Sequence, residues 1–468
     1  METPKRADAL ALFGITGDLA QKMILPALYR LTERGLLDVP VVGAAYSDWD
    51  DQTLRAHARN WVKAAVPDFD ERVFARLAER LSLVTGDFKD GATFSRLRDR
   101  LGEATGGGGF VSHYLAVPPS LFTRVAESLA VEGLNRDARL VVEKPFGHDL
   151  ASARALDDAL TRFFDEDHLL RVDHFLGDVA VMGMKASRFA NGLLAPLWNR
   201  DHIASVQIDL LEDFDVAGRG SFYDAVGCLK DVVQNHMLQM LMFLTMEPPA
   251  SPDPEAEQQE THRALQATRS MDPADTVRGQ YRGYLDVEGV KPDSRTETYF
   301  ATRAWVDNWR WQGVPFLLRS GKSLRTTSTE VVVELRTPPV TLYPDREGRP
   351  APNLIRFHIV PEAAMTMEMV VKQPESGRPS EPVPLRVDFA DVHGRVEMPY
   401  ENIIEGAITG DRTYFASLPV VEECWRIVEP VLNATDVPLP YEPGSWGPEA
   451  AATLPGPDGW HDVTPRER

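Results

Sequence analysis

Four short apolar runs near the start of the chain each end in residues that suit chemistry better than a core. Ala9-Leu-Ala-Leu-Phe13 stops at Gly14, and residues 110–117 stop at Pro118-Pro119. Residues 139–143 run into Lys144-Pro-Phe-Gly147, and residues 168–172 deliver Asp173 and His174. Apolar runs without polar alternation read as strands buried on both faces, hence as a parallel sheet. Helical patterns lie between them, over residues 51–83 and 120–132. This alternation predicts an α/β fold, a Rossmann-type doubly wound parallel sheet, and such sheets bind ligands at the carboxyl ends of their strands. The four run ends therefore belong to one prospective site.

Beyond Asp178 the texture changes. Residues 203–212, 305–318, 330–335, 354–360, 365–371 and 385–389 read as strands separated by turn residues. A helix opens at Asp224 and runs to Met246, before Pro248-Pro249. The pattern predicts an α+β domain with a large, mostly antiparallel sheet, giving two domains, 1–178 and 179–468. Residues 251–260 and 374–384 read as surface loops, and the tail from Pro455 as loosely held.

The formal net charge is −20, which argues against nucleic acid or an anionic membrane surface as partner. Cys228 and Cys424 are the only cysteines, so neither a disulfide framework nor paired metal-ligand spacing follows. There is no signal-like N-terminus and no run of 18 apolar residues, so a soluble, cytoplasmic protein is expected.

Gly14-Ile-Thr16-Gly17-Asp18-Leu19 links the first strand to a helix. Such a turn lets backbone approach a pyrophosphate, while the helix N-terminus supplies free N–H groups; an ordinary strand-to-helix turn has the same look. The second strand, residues 41–48, should end at the adenosine ribose, where an arginine grips a 2′-phosphate and an acid takes a 2′-hydroxyl. Tyr46, Ser47 and Asp48 stand there, with no arginine before Arg55, which favours NAD and leaves NADP open. Asp48 could equally cap the following helix. On the helix of residues 224–246, Val232, His236 and Met240 share the apolar stripe, so His236 is buried, either as a satisfied core histidine or as part of a polar pocket with Gln234 and Asn235.

The motifs Gly14-Ile-Thr-Gly-Asp-Leu-Ala, Glu143-Lys-Pro-Phe-Gly, Arg171-Val-Asp-His-Phe-Leu-Gly, Lys230-Asp-Val-Val-Gln-Asn-His-Met-Leu-Gln and Arg319-Ser-Gly-Lys resemble the signatures of the glucose-6-phosphate dehydrogenase family, in order over almost the whole chain. Phe222-Tyr-Asp-Ala-Val-Gly, Trp425-Arg-Ile and Gly444-Ser-Trp-Gly-Pro fit as well. The resemblance implies hydride transfer from C1 of an aldohexopyranose to NAD(P), giving a 1,5-lactone, with no metal. It implies His236 as general base, Asp173 as the carboxylate that orients it, and Lys144 between cofactor and sugar. It also implies substrate contacts from His174, Phe175, Asp178, Glu212, Asp224 and Lys322, and cofactor contacts from Gly14, Thr16, Gly17, Asp18, Leu19, Tyr46, Pro118 and Lys144. Assembly as a homodimer or homotetramer through the large sheet is implied too.

Several positions depart from the family pattern. Phe175 stands for a tyrosine and Asp178 for a lysine, both ligands of the C6 phosphate in the family. Thr327, Val360 and Met23 replace a basic residue, a glutamine and a lysine, and Tyr46 stands where the family places an arginine for NADP. A phosphate needs charge-assisted partners, and lysine to aspartate exchanges an attraction for a repulsion. The expectation is an unphosphorylated hexose such as glucose. The alternatives are a true glucose-6-phosphate dehydrogenase with a rearranged phosphate site using Lys185 or Arg188, or a silent sugar-binding paralogue.

Overall fold

The computed structural model describes residues 4–344, 351–374, 380–457 and 459–463. The chain forms two compact units, one of Met1–Asp178 with Glu397–Val421, the other of Val179–Val396 with Glu422–Arg468.

In the first unit, β1 (Ala9–Phe13), β2 (Val41–Ala45), β3 (Leu81–Thr85), β4 (Val111–Leu115), β5 (Ala138–Glu143) and β6 (Leu169–Val172) form a parallel sheet in the order β6-β5-β4-β1-β2-β3. The predicted doubly wound sheet is present, and its strand order reverses between β1 and β4, the crevice where such folds bind ligands. Residues 81–83, expected as the end of a helical stretch, instead open β3. Leu77 and Leu81 keep a helical spacing, which carries the helical pattern past its end, but Leu81-Ser-Leu-Val-Thr85 is short, apolar and closed by Gly86.

The first unit runs to Asp178 and then takes back a later segment, Glu397–Val421, that the sequence reading left in the second domain. Helix Pro399–Thr409 buries Tyr400, Ile403, Ile404, Ala407 and Ile408 in the first core, a stripe at helical spacing. Arg139 donates to the carbonyls of Ala407 and Ile408 at 2.8 and 3.0 Å. Phe415–Ala416 then pairs antiparallel with β6, covering the sheet edge.

The second unit holds β7 (Ile203–Leu211), β8 (Thr276–Tyr281), β9 (Tyr299–Ala304), β10 (Phe316–Gly321), β11 (Ser328–Leu335), β12 (Leu354–Val360), β13 (Ala364–Lys372) and β14 (Ser380–Asp388). Their order is β14-β13-β12-β11-β7-β10-β9-β8, with Leu439–Tyr441 at the far edge. The sheet is mostly antiparallel, as expected, but β7 and β10 run parallel. The strand expected over 305–318 begins only at Phe316, because residues 305–315 carry an isolated bridge at Val306 and a turn that buries Trp311. The loop expected over 251–260 is the start of helix Pro254–Gln266, with Pro at its first turn. Of the loop expected over 374–384, residues 375–379 lie outside the described residues and β14 begins at Ser380. The tail is held where it is described. The Trp460 ring lies 4.3 Å from the Arg319 guanidinium, and His461 donates its N–H to Gln207 at 2.9 Å. Among the described residues no helix is long and apolar enough to cross a membrane.

Candidate active site

The first unit brings its predicted residues to one edge of the sheet. Gly14 follows β1 with φ +81°, and a Cβ added there would lie 2.2 Å from the carbonyl oxygen of Ala116, after β4. Only glycine fits, and the turn is closed by Gly17 N–H to Gly14 O at 2.9 Å. Ile15 packs against β2, where Gly43 leaves room for it: a Cβ at Gly43 would sit 2.6 Å from the Ile15 side chain. Leu19 packs on the core, while Asp18 is exposed and paired with Lys22 at 3.0 Å. Thr16 lies in the turn and Pro118 follows β4, closing a turn to Leu121 N–H. A backbone-walled cradle at a helix N-terminus is what a dinucleotide pyrophosphate requires, so these residues fit the cofactor. Tyr46 follows β2 and is 81% exposed. The following helix is capped by Asp50, which accepts from Thr53 N–H at 2.7 Å, so Asp48 does not serve as its cap.

β5 ends at Glu143 and leads into Lys144. Glu143 is buried and accepts hydrogen bonds from Tyr114 Oη at 2.6 Å and Tyr400 Oη at 3.1 Å. Burial pushes its carboxyl up to about 7, against the two phenol donors and Lys144, which lower it; nearby Asp173 adds to the rise. Sequence reasoning passed over Glu143 and could not see Tyr400. After β6, buried Asp173 opens a turn, accepting from Phe175 N–H at 3.1 Å with its side chain and from Leu176 N–H at 2.9 Å with its carbonyl. Tyr400 stacks on His174, ring centres 6.4 Å apart, and Asn402 donates to Gly177 O at 2.9 Å. A Cβ on Gly177 would approach Pro399 O to 2.4 Å. Helix Pro399–Thr409 thus shapes the turn carrying His174, Phe175 and Asp178.

The second unit gathers a different set. Glu212 follows β7, and its N–H donates to Gly321 O at 3.0 Å, beside Lys322. Lys322 is 2% exposed, ion-paired with Glu212, 4.0 Å from Asp231, and 5.1 Å from the Phe214 ring. Asp224 does not join them. Its carboxylate accepts from Tyr284 Oη at 3.1 Å, from Ser294 Oγ and from Lys291 N–H at 3.4 Å. It ties down the loop beyond its helix, and the acid that stands with Glu212 beside Lys322 is Asp231, which the sequence reading did not single out.

The helix expected to start at Asp224 is broken. Helix Gly220–Cys228 contains Gly227 at φ +72°, and Glu297 accepts the Leu229 N–H at 3.1 Å just beyond. Leu229–Met237 then winds with i→i+5 hydrogen bonds. In an α-helix residues five apart diverge by about 140°. The wider turn brings Asp231 and His236 toward a common face. His236 is 4% exposed.

The departures have local explanations. Arg188 is buried, donating to the carbonyls of Phe243 and Met246, and Lys185 pairs with Glu257, so the basic residues expected to substitute at the phosphate are engaged elsewhere. Thr327 exchanges hydrogen bonds with Asp213, Met23 packs on the first core, and Val360 is 38% exposed.

Comparison with known proteins supports both halves. Residues 11–182 match the family model described as glucose-6-phosphate dehydrogenase, NAD binding domain, and residues 185–461 the one described as its C-terminal domain. The chain is 45% identical to glucose-6-phosphate 1-dehydrogenase 1 of Mycobacterium tuberculosis (strain CDC 1551 / Oshkosh), covering 97% of this chain and 96% of that one. It is 36% identical to the glucose-6-phosphate 1-dehydrogenase of Aggregatibacter actinomycetemcomitans over 95% of both chains. A crystal structure of glucose-6-phosphate 1-dehydrogenase from Mycobacterium avium superposes with a TM-score of 0.89, at 44% identity and full coverage of both chains. Glucose-6-phosphate dehydrogenase in complex with glucose-6-phosphate superposes with 0.90, at 30% identity, over 99% of this chain and 100% of that one. The cradle after β1, the Lys144 and Asp173 strand ends and the Lys322 cluster therefore sit in a chain that belongs, over both of its units, to the glucose-6-phosphate dehydrogenase family of oxidoreductases.

Proposed function

We propose that this chain is a glucose-6-phosphate 1-dehydrogenase with NADP as its coenzyme. The observation that carries the reading is 45% identity, over nearly full length, to a protein of that activity. The sequence expectation of an unphosphorylated hexose and of NAD finds no support there. Functional divergence at this identity would need more than substitutions whose side chains are explained by local packing.

In this reading His236 takes the C1 hydroxyl proton while the nicotinamide accepts the C1 hydride, leaving the 1,5-lactone. A histidine titrates near working pH, and a carboxylate partner, Asp173, stabilises the imidazolium that forms. Glu212 and Asp231 accept from sugar hydroxyls, with Lys322 holding their charges apart. Lys144 lies between coenzyme and sugar, and His174 meets the C6 phosphate. The chain assembles as a dimer through the outer strands of the large sheet. Met369, Val371, Val383, Leu385 and Val387 share one face by register and are 37–59% exposed.

Paired steady-state kinetics test the reading. Glucose-6-phosphate should exceed glucose in kcat/KM by more than about a hundred-fold, the worth of a well-held phosphate. Equal values would return the unphosphorylated hexose to favour, and no turnover with any aldose would leave a silent paralogue.

A further inference from the structure

If the coenzyme is NADP, some cation must meet its 2′-phosphate, and Tyr46 cannot. The adenosine ribose of a Rossmann fold lies beyond the end of the second strand. Here β2 ends at Ala45, which pairs with Thr85 at the end of β3, and Gly86 N–H donates to Ala45 O at 3.0 Å. The two strand ends are therefore neighbours, about 4.8 Å apart.

Arg96, on helix Gly91–Thr105, reaches back to this corner. Its Nη2 donates to Thr85 O at 2.9 Å and to Thr93 Oγ1 at 3.3 Å. Gly86 has φ +154°, and a Cβ there would lie 2.5 Å from Arg96 Nη2, so the backbone is kept bare where the guanidinium sits. Arg96 is exposed, and its Nε and Nη1 have no protein partner among the described residues. Other arginines nearby are committed. Arg55 donates to Leu81 O at the opposite end of β3, at 2.7 and 3.1 Å, and Arg100 pairs with Asp51 at 3.2 Å.

We propose that Arg96, reaching from the helix after β3, binds the 2′-phosphate of NADP in place of the arginine absent at position 46. The inference rests on the NADP reading above. One edge of the guanidinium is anchored on the strand end, so its remaining donors are pre-positioned and little side-chain freedom is lost on binding. Tyr46, the exposed residue that follows the β2 end, offers a flat surface for the adenine.

Isothermal titration calorimetry of the full chain with 2′,5′-ADP and with 5′-AMP isolates the phosphate. The wild type should favour 2′,5′-ADP, and Arg96→Met should weaken that ligand by about ten- to a hundred-fold, the worth of charge-assisted hydrogen bonds, while leaving 5′-AMP within about two-fold. Arg96→Lys should lie between, and adding Tyr46→Arg to Arg96→Met should restore 2′,5′-ADP binding. If Arg96→Met binds 2′,5′-ADP like the wild type, or loses both probes equally, the assignment is overturned and the NADP reading stands. If the wild type binds both probes equally, the NADP reading falls and the assignment with it.

Discussion

Glu143 makes the stability of the first unit depend on pH in a direction opposite to that of most carboxylates. Its carboxyl titrates at about 7 in the folded protein against an ordinary value of 4.5, because burial disfavours the charged form more than Tyr114 and Tyr400 favour it. The folded state therefore holds a proton that the unfolded chain has released. Stability is full below pH 4.5, falls between 4.5 and 7, and is lost above 7. The slope is about 1.4 kcal/mol per pH unit, about 3 kcal/mol in all and about 2 kcal/mol between pH 5.5 and 7. Glu143→Gln replaces the titrating group by a neutral one that still accepts from the phenols. Any fixed offset from its amide cancels when two pH values are compared. Hydrogen exchange of peptides from β4 and β5 reports the first unit alone, avoiding a two-state assumption for the whole chain. The stability of the variant relative to wild type should rise by about 2 kcal/mol from pH 5.5 to 8. A constant difference across that range would show that Glu143 stays ionised, and the desolvation argument would be refuted.

Other outcomes follow from the same geometry. Gly14→Ala must move the Ala116 carbonyl or leave the left-handed region, at a strain of about 1–3 kcal/mol, and calorimetry should show dinucleotide affinity reduced by more than about ten-fold. Lys322→Met leaves the Glu212 carboxylate uncompensated and should destabilise by about 3–5 kcal/mol in denaturant unfolding, with Glu212→Gln in the same chain recovering most of it. His236→Asn should lower kcat by about 10²–10⁴-fold with the melting temperature preserved, and near-normal turnover would remove it as base. Asp178→Lys should lower KM for glucose-6-phosphate by up to about ten-fold without changing KM for the coenzyme, as judged by steady-state kinetics.

Much of the first unit was legible because parallel strands are continuous apolar runs, and their carboxyl ends are where chemistry collects. Gly14, Lys144 and Asp173 could be placed from that rule alone. The return of residues 397–421 to the first unit was not legible, since the apolar stripe of Pro399–Thr409 says that the helix is buried but not in which core. With it went Tyr400, the side chain that joins Glu143 to the His174 ring. The resemblance implied a sugar contact for Asp224 through the motif Phe222-Tyr-Asp-Ala-Val-Gly, and a motif does not show which groups engage its carboxylate. Only the broken helix at Gly227 and the wide turn after it show Asp231 to be the acid beside Lys322.

The expectation of an unphosphorylated hexose finds no support among the relatives, for a reason that bears on any motif comparison. The losses of positive charge at Met23, Thr327 and Asp178 were counted as independent evidence that the phosphate was gone. Two of those positions have uses of their own: Met23 fills the first core, and Thr327 holds Asp213. Asp178 directly precedes helix Val179–Phe189, the position where an acid is favoured by unpaired N–H groups and the positive end of the helix dipole. Each position thus has a local reason for its residue that operates whether or not a phosphate binds, so the losses are not independent evidence for a change of substrate. The cofactor follows the same logic in reverse. A missing arginine at position 46 removes a cation from one strand end only, and the neighbouring strand end, with Arg96 above it, has to be examined before the corner is read as lacking one.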